Sequence, residues 1–105
     1  MAEIDGRRYV RSTSAGDAPP VAMVVCLHGA FGNGRRFRRA ILHQFQQTPG
    51  LLLLFPDGTA FGGGWNDGRV ADATDDVGFL TAMIAAERAR STSIQQVCCT
   101  GMSNG

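Results

Sequence analysis

The sequence predicts an α/β fold, a mostly parallel sheet with flanking helices, and three observations lead there. Two continuous apolar runs, "VAMVVCL" (21–27) and "LLLLF" (51–55), have the composition of strands buried on both faces. A segment of helical character follows each run. A third strand, "IQQVCCT" (94–100), completes a strand-helix-strand-helix-strand series within 105 residues. Such alternation implies right-handed crossovers and parallel pairing. A chain of this length holds one small domain.

Taken in order, "RRYVRS" near the N-terminus is a short polar strand, expected at a sheet edge. "GDAPP" (16–20) is a turn, because Gly and Pro punctuate regular structure. The run at 21–27 leads into a glycine-rich loop, "HGAFGNG", and then a helix with Phe37, Ile41 and Phe45 on one face. Arg35, Arg36, Arg38 and Arg39 crowd the first turns of that helix, where positive charge opposes the macrodipole. Pro49-Gly50 closes it. "LLLLF" ends at Pro56, and Asp57 reads as a turn residue.

Residues 57–74 form a Gly- and Asp-rich loop of a length that marks functional or disordered segments. The spacing then predicts a helix near Asp75 to Arg90, with Val77, Leu80, Met83 and Ile84 facing inward. Asp72, Thr74, Asp75 and Asp76 suit its N-terminus as caps and dipole partners. Cys26, Cys98 and Cys99 read as small core residues of buried strands, and three cysteines make no disulfide framework.

Composition excludes several classes. With 44% hydrophobic and 18% charged residues the chain is globular, and a net charge of +1 gives no general electrostatic ground for binding nucleic acid or membrane. The strongest apolar run, Leu51 to Phe55, is too short to span a bilayer. "MAEIDGRRYV" shows no apolar core of a signal peptide, which leaves the compartment open.

Two stretches carry chemistry. Gly101-Met102-Ser103-Asn104-Gly105 fits G-x-S-x-G directly after a predicted strand. The sharp turn that lifts such a serine requires small residues two before and two after it, which Gly101 and Gly105 supply. His28-Gly29-Ala30 ends the strand at 21–27, where the backbone N–H of Ala30, with Phe31 the second choice, would receive an oxyanion together with the N–H of Asn104. Both stretches then meet at the C-terminal ends of adjacent strands, where ligands of open α/β sheets bind. His28 reads as structural, holding its loop by hydrogen bonds.

The rival stretch is "GAFGNGRR" (29–36), which has the outline of a phosphate-binding loop. Arg35 stands where such a loop needs Lys, and Arg36 where it needs Ser or Thr. The arginines at 35–39 read as a solvated face and His43 as an exposed residue.

"LHGAFGNG", "FPDGT", "GWNDGR", "DDVGFL" and "TGMSNG" occur in an order and spacing that resemble the polyhydroxybutyrate depolymerase and feruloyl-esterase-like branch of the α/β-hydrolases. The resemblance runs from about Arg7 to Gly105. It implies the N-terminal part of an α/β-hydrolase fold, truncated after the nucleophile turn, so that residues 1–105 form one partial domain. It implies a serine esterase with Ser103 as nucleophile, Ala30 and Asn104 as oxyanion donors, and His28, Gly29, Gly101 and Gly105 structural at the site. Trp65, with Asn66 and Asp67, matches a loop that is either a cleft wall or a packing anchor, and Asp75 and Asp76 match positions read as caps and tethers. Met102 stands where tannase-like feruloyl esterases place a cysteine, which separates the chain from that branch.

In that family the acid and histidine follow the serine, and no residue here matches either, so the isolated chain is expected to be inactive. The implied partner is an ester, whether polyester, feruloylated polysaccharide or small acyl ester, with no cofactor, metal, nucleic acid or membrane and with oligomeric state open. A non-catalytic α/β fragment or binding module, and a nucleotide-binding domain built on residues 29–36, are the alternatives.

Overall fold

The computed structural model describes residues 2–4, 6–14, 18–59, 63–65 and 75–102. Among them the elements are β1 (Ala2–Ile4), β2 (Arg7–Thr13), β3 (Ala22–Leu27), α1 (Gly34–Ile41), a 3₁₀ turn at Leu42–Phe45, β4 (Leu51–Pro56), α2 (Asp76–Arg90) and β5 (Gln96–Gly101). The sheet order is β1-β2-β4-β3-β5. The most apolar run of the sequence thus becomes the central strand. Successive β4 side chains serve opposite faces: Leu52 and Leu54 join Met23, Val25, Phe79 and Met83, whereas Leu53 and Phe55 join Cys26 and Phe37. One helix covers each face, α2 on the first and α1 on the second.

This architecture corrects the expected fold. β3 pairs in parallel with β4 and β5, but β1–β2 and β2–β4 are antiparallel, so the sheet is mixed. What stands is an α/β arrangement of five strands and two short helices among the described residues, without grounds for calling it a truncated α/β-hydrolase fold. The reason lies in the connections. α1 and α2 carry the chain back over the sheet and make the parallel pairs. Only residues 14–21 join β2 to β3, too few for a crossover, so β2 runs opposite to β3 and β4. Nor is β2 an edge strand, because the three-residue β1, too short to register in the sequence pattern, covers its outer side.

β5 requires a second correction. Its residues are exposed apart from the half-buried Val97, and Cys98 and Cys99 are exposed free thiols. The helices pack over β2, β3 and β4, which leaves β5 at the edge with little cover. Cys26 alone of the three is a core residue, and burial, with Cys99 nearby, pushes its thiol up to about 12.

α2 turns in on residues Phe79, Met83 and Glu87, while Val77, expected inside, is 77% exposed. Glu87 is completely buried: Tyr9 Oη donates to its Oε2 at 2.6 Å, and Arg11 Nε donates to its Oε1 at 2.9 Å and Oε2 at 3.0 Å. Burial first, and then the bond to Glu87, push the Tyr9 phenol up to about 12 from 10.0. The folded state holds this proton more tightly than the unfolded chain. The resulting stabilisation is complete below pH 10 and is lost as pH rises through about 12. Tyr9 is the single tyrosine, so tyrosinate absorbance should develop with a midpoint near 12; a midpoint near 10 would contradict the buried bond.

Candidate active site

β3 and β5 end side by side, with Leu27 opposite Gly101. The next residue keeps the register: Met102 N–H donates to the Leu27 carbonyl at 3.2 Å. The described starts of the two stretches singled out in the sequence, at His28 and at Gly101-Met102, therefore lie at neighbouring strand ends. Ser103, Asn104 and Gly105 lie outside the described residues, as do Asn66, Asp67, Asp72 and Thr74.

His28 is buried at 2% exposure and fully engaged. Gly58 N–H donates to its Nε2 at 2.9 Å, and a backbone N–H has only a proton to offer, so Nε2 carries the lone pair. The ring proton is then on Nδ1, which donates to the Gly29 carbonyl at 2.6 Å. The Trp65 indole N–H donates to the His28 carbonyl at 2.8 Å, and the two rings lie 5.1 Å apart. Trp65 is buried in the α2-side core and does not line the cleft described below. It anchors its loop to His28, and His28 anchors the turn that follows.

In that turn Gly32 N–H donates to the Gly29 carbonyl at 3.2 Å, with Ala30 and Phe31 between. Phe31 has φ +63, the left-handed region, in the third position of the turn, where a type II turn favours glycine. A non-glycine residue there costs about 1–2 kcal/mol, and such strain gathers at functional sites. The N–H of Ala30 donates no hydrogen bond to any described residue. An open cleft of about 360 Å³ adjoins it, lined by Gly29, Ala30, Arg36, Phe37, Ala40 and Met102 among others. No motif marks Arg36, Phe37 and Ala40 as cleft residues, although their spacing on one helix face is a usable signal.

Asp57 does more than turn the chain. Its Oδ1 accepts the Gly34 N–H at 2.8 Å, and its Oδ2 lies 3.9 Å from Arg8 Nε. Asn33 caps the same helix by accepting the Arg36 N–H at 2.9 Å. These groups supply the negative potential that the arginine-rich first turns of α1 lack. They also argue against the phosphate-loop reading of residues 29–36: a carboxylate already holds the first helical N–H that a phosphate would take. Among the described residues no group of three or more His, Cys, Asp or Glu is arranged to hold a metal ion, and no helix is long and apolar enough to cross a membrane.

Gly34 is held for steric reasons. A Cβ there would lie 2.0 Å from the Phe55 carbonyl oxygen and 2.7 Å from its carbon. Helix propensity alone predicts that Gly34→Ala stabilises by about 1 kcal/mol. The backbone clash reverses the sign, and we expect a net loss of about 1–3 kcal/mol in urea unfolding. Gly78→Ala is the control. Its Cβ meets only the exposed Asp75 carboxylate, whose shift weakens the cap on the Gly78 N–H, and the helix-propensity gain of about 1 kcal/mol offsets that loss, so its stability should change little.

Comparison with protein-family models, with curated proteins and with solved structures finds no match for this chain.

Proposed function

We propose that this chain carries the nucleophile and the oxyanion loop of a serine carboxylic-ester hydrolase. One observation carries the proposal: Met102, the residue before Ser103, is tied to Leu27 and lines the same cleft as Ala30. The motif resemblance to depolymerases and feruloyl esterases supports the same chemistry. So does the mainly apolar cleft beside Met102, which suits an acyl chain.

Ser103 Oγ attacks the ester carbonyl and passes its proton to a base. The oxyanion receives the N–H of Ala30 and that of Asn104. Collapse expels the alcohol, which takes the proton back from the base. Water, deprotonated by the same base, then attacks the acyl-enzyme and releases the acid.

Neither histidine of these 105 residues serves as that base. Both ring nitrogens of His28 are engaged, and His43 sits exposed in the 3₁₀ turn, outside the cleft lining. We therefore assign the base to neither; in the family whose motifs the chain resembles, a histidine takes this role.

The test is labelling with a fluorophosphonate probe, which reacts only with an activated serine. In a form of the protein supplied with a base the probe should modify Ser103, and p-nitrophenyl butyrate should be hydrolysed. Ser103→Ala should abolish both. Ser103 left unlabelled in that form while the protein is folded would overturn the proposal.

A further inference from the structure

We infer that Arg8, Arg35 and Arg38 form a binding site for a small phosphate-bearing polyanion, separate from the cleft beside Met102. A cavity of about 510 Å³ is lined by Arg8, Val10, Arg35 and Arg38. That size falls within the range of small-molecule sites, roughly 300–1,000 Å³.

Two periodicities build it. Arg8, Val10 and Ser12 alternate along β2 and share the face toward α1, while Arg35 and Arg38, three apart, share one face of α1. Ser12, 9% exposed, accepts a hydrogen bond from Arg38 Nε. That bond holds the guanidinium in place and leaves its two terminal nitrogens for another partner.

Charge completes the case. Three guanidinium groups converge on one cavity in a protein whose net charge is only +1. Among the described residues the carboxylate within reach is Asp57, 3.9 Å from Arg8 and already accepting the Gly34 N–H. Among the described residues neither Arg35 nor Arg38 makes an ion pair. A ligand carrying two or three negative charges in a small volume relieves this repulsion, and phosphate oxygens match the guanidinium fork. Val10 gives the cavity an apolar floor on which the organic part of such a ligand would rest.

Inorganic pyrophosphate is the probe, titrated calorimetrically at about 150 mM salt, where diffuse surface attraction is screened. Pyrophosphate should bind more tightly than citrate. Arg35→Gln should weaken it about tenfold or more, the loss expected for one charge-assisted contact. Arg35 is exposed and makes no ion pair, so this variant keeps the fold, which a thermal melt verifies. Arg39→Gln, on the same helix but outside the cavity lining, should leave binding unchanged. So should Ser103→Ala, which separates this site from the esterase reading. Absence of pyrophosphate binding, equal losses in the Arg35 and Arg39 variants, or tighter binding of citrate would each overturn the inference. Stronger binding of a single-stranded oligonucleotide, tightening with length, would overturn it too, making the face a nucleic-acid surface.

Discussion

Glu87→Ala should lower the unfolding free energy by about 3–5 kcal/mol, the cost of removing one partner from a buried charged pair. Glu87 is fully buried, and its carboxylate takes the Tyr9 hydroxyl on one oxygen and Arg11 Nε on both. Truncation strands the Tyr9 hydroxyl in the core and opens a cavity beneath the last turns of α2. The Arg11 side chain is 34% exposed and can rehydrate, which places the expected value toward the lower end. A domain of this size has a total stability of about 5–15 kcal/mol, so the variant should unfold at a much lower urea concentration. Glu87→Gln keeps the volume and an acceptor for Tyr9, and should cost roughly half as much. A loss under about 1 kcal/mol for Glu87→Ala would mean that the bonds from β2 do not hold α2 to the sheet.

Glu87 also shows where sequence reasoning reaches its limit. The bounds of α2 are legible in the sequence because its N-cap and its apolar content are local signals: Asp75 accepts the Gly78 N–H at 2.9 Å, as a cap should. Which face turns inward is not local. Val77, Phe79, Leu80, Met83 and Ile84 spread around the helix, and apolar spacing alone favoured a stripe that included Val77. The inward face is fixed by Tyr9 and Arg11, 78 and 76 residues away, which admit a glutamate to the core. The sheet follows the same pattern. β3 and β4 announced themselves by composition, whereas strand direction depended on connection length and on a three-residue β1 that carries no pattern. β5 resembled a buried strand because valine and cysteine suit one, but burial is decided by whether a helix lies over the strand. At the candidate site, the role of His28 was legible because a histidine followed by glycines at a strand end has few other uses. The service of Asp57 to α1 was not, because the helix and its acid partner come from different parts of the chain.

Ala30→Pro should separate the oxyanion donor from the turn that presents it. Ala30 is the second residue of the turn closed by the Gly32-to-Gly29 bond, and the left-handed Phe31 follows it. Proline suits the second position of a type II turn, since its ring fixes φ near −65° there. The residue before it must be extended, and Gly29 tolerates that readily. The substitution therefore preserves the turn while deleting one backbone N–H, a group that donates to no described residue. If that N–H receives the oxyanion, kcat on p-nitrophenyl butyrate should fall by about 10²–10³ in the enzyme that carries its base. KM should move little, because the donor acts on charge that develops in the transition state. The Trp65 fluorescence should also hold, since this single tryptophan reports the His28 anchor beneath the turn. A variant with unchanged fluorescence and undiminished kcat would remove Ala30 from the mechanism. Phe31→Pro cannot stand in for it, because a proline ring is incompatible with φ +63 and would break the turn itself.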